Sequence, residues 1–200
     1  CIRDRPIGTR RNVNPFVESF RVGLGLATPV IAIVLAAPTA ILQIINPELT
    51  HGVNTLRILL LSITPLIALT TIIIKLNKEG RTGSLALIGI ARLLILLVLL
   101  PLLTNIMGLN GAAAAFLMAN IIVMIYALRY EPSITKTLLS LWGIQAFIAF
   151  LTCSIPINEC ILALASLIVA VALMHITNTF TIKDLNNTLR TIIKSILGMA

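Results

Sequence analysis

The ionisable side chains of this sequence are few, and their positions limit the chemistry that the chain can support. None of the seven carboxylates lies in the middle of an apolar run. No set of residues has the spacing of an active site or of a cofactor motif, and the three cysteines lack metal-ligand spacing. The sequence therefore predicts no catalytic group, no metal and no cofactor. The carboxylates are Asp4, Glu18, Glu48, Glu79, Glu131, Glu159 and Asp184.

Two arginines are the candidate binding residues. Arg92 lies inside an apolar run, roughly 10 Å from the start of that run at ~1.5 Å per residue. A cation at such a depth is costly unless it faces water or an anion, or unless its side chain reaches back to the headgroups. Arg57 lies at the edge of another run and is either an interfacial anchor or a ligand-binding residue. The sequence leaves both alternatives open for each arginine.

The segments that must position these arginines are transmembrane helices. Only 11% of the residues are charged, against about 25% in soluble domains, and the mean hydropathy is +1.04. Pro29 and Pro38 are expected to kink the first apolar run without ending it. Short connections between the runs predict antiparallel hairpins. The fold class is thus all-α and integral to the membrane, with six spans near residues 22–45, 57–74, 85–107, 111–128, 137–155 and 160–176.

The distribution of positive charge predicts the orientation. If the six spans are placed as above, every Lys and Arg except Arg57 and Arg92 lies on the same side of the membrane as residue 1. The C-terminal tail lies on that side too. Cytoplasmic loops of membrane proteins carry this excess, so both ends are expected in the cytoplasm. The net charge of +8 then needs no nucleic-acid partner.

Four regions follow from this pattern. Residues 1–21 form a basic cytoplasmic segment and a helix start, and residues 22–128 form four helices. Residues 129–176 form two further helices, and residues 177–200 form an amphipathic tail in the membrane interface. Cys153 and Cys160 flank a short loop and are either a disulfide or two inert thiols. The chain begins at Cys1 and is expected to be a piece of a longer protein.

Several polar and small residues are predicted to serve packing. Asn105, Asn120 and Gln145 are expected to hydrogen-bond neighbouring helices, and Trp142 and Tyr130 to lie at the cytoplasmic interface. Residues 108–111, Gly-Leu-Asn-Gly, are expected to form a turn whose glycines adopt left-handed geometry. The alanines at 112–115 are expected to allow close helix approach.

A family resemblance is carried by the segment around that turn. It resembles the "L-I-P … G … G-A-A" hairpin of the polysaccharide (Wzx-type) flippases, which belong to the multidrug/oligosaccharidyl-lipid/polysaccharide exporter superfamily. The segment from Leu56 to Leu59, Leu-Arg-Ile-Leu, and the turn at 76–81 are also similar to that family, so the resemblance covers about residues 15–128. The matching hairpin residues are Leu100, Pro101, Gly108 and the run at 111–115.

The resemblance implies a transporter of fourteen helices in two lobes, of which this chain is the last six. It implies translocation of a lipid-pyrophosphate-linked oligosaccharide across the cytoplasmic membrane by alternating access. Arg92 would then pair with the pyrophosphate, and the partners would be membrane lipids and the missing N-terminal lobe. Two alternatives remain: a cation-coupled multidrug exporter, which needs carboxylates deep in a lobe, and a membrane scaffold without transport activity.

Overall fold

The computed structural model describes residues 15–154 and 159–176, and in that part of the chain it contains helices and no strand. Three short 3-10 segments, Pro47–Gly52, Leu128–Tyr130 and Pro132–Ile134, connect the longer helices. The α-helices are α1 (Pro15–Ala36), α2 (Pro38–Ile45), α3 (Val53–Lys78), α4 (Thr82–Met107), α5 (Leu109–Ala127), α6 (Thr135–Ser154) and α7 (Glu159–Ile176).

The described helices confirm the all-α fold, and their lengths and composition are compatible with a multi-pass membrane protein. Five of them are long and apolar enough to cross a membrane. The apolar stretch of α7, Ile161–Met174, is shorter, so the sixth crossing stays a prediction. The predictions for the basic segment before residue 15, the turn at 155–158, the tail after residue 176 and the pairing of Cys153 with Cys160 lie outside what the structure describes.

The two prolines of the first span act differently. Pro29 lies within α1, as predicted. The prediction that Pro38 kinks the helix without ending it is wrong, because α1 ends at Ala36 and a separate helix begins at Pro38. Proline has no N–H to donate and is tolerated in the first turn of a helix, so the break at Ala37 places Pro38 at such a position.

Two glycines with positive φ close the turns on either side of α4. Gly80, with φ +70°, follows α3 and allows the Arg81 amide to donate to the Leu76 carbonyl at 3.0 Å. Gly108, with φ +60°, is the whole connection between α4 and α5. The predicted turn over residues 108–111 is therefore too long, since α5 already begins at Leu109.

Gly111 is a helical residue with a packing role. A Cβ atom built on it would collide with the backbone carbonyl of Leu103 and would lie 3.0 Å from the amide nitrogen of Thr104. The backbones of α4 and α5 thus approach each other closely at this point. Ala115, one turn further along the same face of α5, is also buried, whereas Ala113 is buried on the opposite side of the helix.

The helices pack as two groups. One contains α3, α4 and α5, and the other contains α1, α6 and α7, while α3 also contacts α1 and α6. Thr55 donates to the Asn110 side chain at 2.7 Å, and Lys75 donates to the Tyr130 carbonyl at 3.0 Å. These contacts join α3 and α5 at both ends, so the two helices run parallel and α4 runs against them. We call the two ends of the bundle the Lys75 end and the Gly108 end.

Helix α4 lies at the periphery of the described bundle. Only 6% of its apolar window is buried inside the protein, and Ile88 is its one fully covered side chain. Its main neighbour is α5. The outward residues, such as Leu93, Leu97 and Val98, form an apolar surface of the kind that a bilayer requires.

Candidate functional site

Arg92 lies deeper along its helix than the sequence predicted. Helix α4 begins at Thr82, three residues before the expected start of the span. At ~1.5 Å per residue, Arg92 lies about 15 Å from the first residue of α4, and a bilayer core is about 30 Å thick. The residue is therefore near the middle of the 26-residue helix α4, and a cation without a counter-charge is costly there if the helix spans a membrane.

The environment of Arg92 is aromatic and apolar. Its Cζ atom lies 5.5 Å from the centroid of the Phe116 ring on α5, which is a cation–π contact. Its Nε atom is buried and has no hydrogen-bond partner. Within residues 15–154 and 159–176, no carboxylate forms an ion pair with Arg92. The ring compensates part of the desolvation cost but supplies no hydrogen-bond acceptor in its plane.

The guanidinium of Arg92 extends along α4 toward the Gly108 end of the bundle. Since α4 and α5 are antiparallel and Gly111 meets Leu103, counting back equally along both helices places Arg92 level with Ile122. Phe116 lies further toward the Gly108 end than that level. A side chain that reached back to the headgroups of the Lys75 end would point the opposite way. The geometry therefore favours an arginine that faces the interior of the span.

Asn120 is the second unsatisfied polar side chain beside this arginine. It is 0% exposed, and both its Nδ2 and Oδ1 atoms lack a hydrogen-bond partner. It follows Phe116 by one helical turn and so shares its face of α5. The prediction of a hydrogen bond from Asn120 to a neighbouring helix is not met. An unsatisfied buried amide costs about 1–3 kcal/mol, so this residue calls for an explanation.

Arg57 does not join Arg92 in one site. It lies in the second turn of α3, near the Gly108 end, and is half-buried. The bond between Thr55 and Asn110 sets the level of α3 against α5, and it places Arg57 beside Ala112. Arg92 is level with Ile122, so about 15 Å of helix separates the two arginines along the bundle.

An apolar groove lies between α4 and α5 on the Gly108 side of Arg92. It has a volume of about 380 Å³. Ile95 and Leu99 lie on the same face of α4 as Arg92, so the groove continues the line of that residue. A cation thus lies at one end of a shallow, open apolar groove in the protein surface. The groove is lined by Leu94, Ile95, Val98, Leu99 and Ile122.

A cluster of charges closes the Lys75 end. Lys75 Nζ donates to Glu131 Oε2 at 2.6 Å and lies 3.7 Å from Glu79 Oε1. The Glu131 side chain is 7% exposed and also accepts a hydrogen bond from Ser133. Arg81 completes the cluster with an ion pair to Glu79 at 3.2 Å. The sequence predicted these cations as determinants of orientation and did not predict that Glu131 joins α3 to the α5–α6 connection.

Gln145 is the centre of a buried polar chain in the middle of the bundle. Thr64 on α3 donates to Gln145 Oε1 at 2.5 Å, and Gln145 Nε2 donates to Thr28 Oγ1 on α1 at 3.5 Å. All three side chains are 0% exposed. The predicted role of Gln145 in joining helices is therefore confirmed. The two threonines were not predicted, because threonine in an apolar helix often bonds only its own backbone.

Trp142 compensates for a proline. Pro65 lies inside α3 and cannot donate to the carbonyl four residues before it, which is that of Leu61. Trp142 Nε1 donates to this carbonyl at 3.1 Å. The indole thus bonds inside the bundle and is not only the interfacial residue that the sequence predicted.

A double-mutant cycle tests the link between Trp142 and Pro65. We expect Trp142→Phe to lower the free energy of unfolding by about 1 kcal/mol, because the Leu61 carbonyl loses its donor. In a Pro65→Ala background, the backbone amide of the new alanine would replace that donor, and the same change should cost a few tenths of that amount. Unfolding in mixed detergent micelles measures both. Equal costs in the two backgrounds would contradict this role of the tryptophan.

Comparison of the chain with protein-family models, with curated protein sequences and with solved structures finds no match. The function must therefore be argued from the residues themselves. Around Arg92, buried polar atoms lack hydrogen-bond partners, as is expected of a binding site without its ligand. The charged groups of the Lys75 cluster and the polar groups of the Gln145 chain are bonded to one another. Sequence reasoning singled out Arg92 but not Phe116 or the unsatisfied state of Asn120.

Proposed function

We propose that this chain is the C-terminal six-helix part of a transporter of the cytoplasmic membrane. Its substrate would be a lipid-pyrophosphate-linked oligosaccharide, which moves from the cytoplasmic to the outer leaflet for surface glycan synthesis. Two lobes would alternate around a central cavity, and the N-terminal lobe would belong to the same longer protein. The resemblance of residues 15–128 to polysaccharide flippases supports this proposal.

The observation that carries the proposal is the direction of Arg92. The guanidinium extends from near the middle of α4 toward the Gly108 end and lies 5.5 Å from the Phe116 ring. A permanently charged side chain held there is costly unless an anion arrives during function. A pyrophosphate that crosses the membrane is such an anion, and its oxygens fit the planar guanidinium.

The groove beside Arg92 supports a substrate with a lipid tail. A polyisoprenyl pyrophosphate has an anionic head and an apolar chain, and the groove has an apolar wall next to one cation. We therefore expect the head to lie against Arg92 and the first isoprene units to lie along Ile95 and Leu99. The opposite charges of head and arginine determine this orientation of the ligand.

The positions of the carboxylates favour this substrate over a cation-coupled multidrug exporter. The five carboxylates of the described residues all lie in the first or last turn of a helix or in a connection: Glu18, Glu48, Glu79, Glu131 and Glu159. A proton or sodium relay within the span would need carboxylates at mid-span depth. Any such coupling would have to use other parts of the protein.

The orientation follows from the charges at the Lys75 end. Lys75, Lys78, Arg81 and Arg129 are at or near that end, and we place it in the cytoplasm by the positive-inside rule. Residues 160–176 would form a sixth span, so both ends of the chain would also be cytoplasmic. A cysteine at the exposed Leu109 that reacts with an impermeant maleimide from outside the cell would agree with this orientation.

The test of the proposed function is transport by the Arg92→Gln variant. The full-length protein is reconstituted in liposomes, and translocation of a labelled lipid-pyrophosphate-linked oligosaccharide is followed. We expect a loss of about 10- to 100-fold, the factor that corresponds to one charge-assisted hydrogen bond of about 1.5–3 kcal/mol.

The matched control is Arg129→Gln. Arg129 is also an arginine over an aromatic ring, 5.3 Å from the Tyr126 centroid, but it is exposed at the Lys75 end. We expect this variant to transport at the wild-type rate. Wild-type transport by Arg92→Gln, or no transport by the unmodified protein, would reject the proposed function.

A further inference from the structure

Asn120 is buried without a hydrogen-bond partner among the described residues. Its amide is 0% exposed, yet its donor and its acceptor both lack partners. Buried polar groups in proteins are almost always hydrogen-bonded to protein or to ordered water. The same is true of Arg92, whose buried Nε has no acceptor.

Phe116 relates these two side chains to each other. The Cζ atom of Arg92 lies 5.5 Å from the centroid of the Phe116 ring. Asn120 follows Phe116 by one turn of α5 and shares its face of that helix. The guanidinium of Arg92 therefore approaches the face of α5 that carries Asn120.

We propose that Arg92 and Asn120 form one site for a phosphate group that carries a neighbouring hydroxyl. The phosphate oxygens accept from the Arg92 guanidinium and from Asn120 Nδ2, and the hydroxyl donates to Asn120 Oδ1. A carboxylate or a halide would leave Oδ1 unsatisfied, because neither has a donor. A sugar pyrophosphate has both groups, and so does a lipid headgroup with a free hydroxyl.

Access to this site requires a movement of α4. Asn120 is fully covered, whereas α4 is packed mainly on α5 and has 6% of its apolar window buried. Helix α4 has few contacts with helices other than α5, so its movement would disturb mainly the interface with α5. The ligand enters when α4 moves away from α5, and the site closes again around the phosphate.

Only the source of the phosphate rests on the proposed function. Binding is therefore measured separately from transport. The full-length protein in detergent is titrated with sodium pyrophosphate, and in a second arm with glucose 1-phosphate, at constant ionic strength. A third arm uses nanodiscs of phosphatidylcholine with or without phosphatidylglycerol. Thermal stability and, for the soluble ligands, calorimetry give the affinities.

Two variants of Asn120 decide the result. Asn120→Leu removes donor and acceptor at similar volume, and we expect it to weaken phosphate binding at least tenfold while the unliganded protein becomes no less stable. Asn120→Asp places a carboxylate next to Arg92, and we expect the resulting ion pair to exclude phosphate and to raise the unliganded stability. Arg129→Gln is the control and should bind as the wild type does.

Each outcome bears on the site. Stabilisation in the glucose 1-phosphate arm assigns the site to a sugar phosphate, and stabilisation by phosphatidylglycerol alone assigns it to a headgroup. Unchanged affinity in both Asn120 variants, or no ligand effect on the wild type in any arm, overturns the site. If phosphate binding depends on Asn120 but lipid-linked oligosaccharide is not transported, the site stands and the proposed function fails.

Discussion

Replacing Gly111 with alanine is expected to force α4 away from α5 and to destabilise the protein by about 3 kcal/mol, at the upper end of overpacking costs. The new methyl group would occupy the position of the Leu103 carbonyl and would lie 3.0 Å from the Thr104 nitrogen. Both are backbone atoms, so a rotamer change cannot relieve the collision. The free energy of unfolding in mixed micelles measures the effect.

Gly89→Ala is the matched control for this prediction. Gly89 is an exposed residue of α4, and a Cβ atom there meets no other atom within 4 Å. Alanine has the higher helix propensity by about 1 kcal/mol, so this variant should be as stable as the wild type or more stable. If Gly111→Ala and Gly89→Ala behave alike, the close approach of α4 and α5 is not present in the membrane.

Removal of the Glu131 carboxylate has the second large expected effect. The Lys75 side chain is 19% exposed and the Glu131 side chain 7%, and their charged atoms are 2.6 Å apart. Glu131→Ala would leave a largely buried ammonium whose nearest carboxylate, that of Glu79, is 3.7 Å away. We expect a loss of about 3 kcal/mol, the lower end of the range for broken buried pairs, because Lys75 keeps some contact with water.

A second substitution tests whether the lost stability comes from the charge that remains on Lys75. Lys75→Met in the Glu131→Ala background removes the ammonium that has lost its nearest carboxylate, and we expect it to recover most of the lost stability. Glu79→Ala is the control. The Glu79 side chain is 38% exposed, so its loss should change the unfolding free energy by less than about 1 kcal/mol. A double variant no more stable than Glu131→Ala would show that the cost has another origin.

The sequence alone determined the class of protein and the approximate limits of its helices. Long apolar runs in lipid must satisfy their own backbone groups, so they become helices regardless of their neighbours. The prolines and glycines marked most boundaries, although Pro38 ended a helix that it was expected to kink and Gly111 lay inside one. Arg92 could be identified from the sequence because a charge inside a long apolar run is rare, however the helices pack.

Only the tertiary structure decided how the helices face one another. Helices α4 and α5 are apolar on nearly every side, so their sequences contain no amphipathic signal for which face turns inward. The meeting of Gly111 with Leu103, the pairing of Lys75 with Glu131 and the direction of Arg92 toward Phe116 all depend on that rotation. The unsatisfied amide of Asn120 has the same origin, because only packing determines whether a polar group in a membrane helix finds a partner.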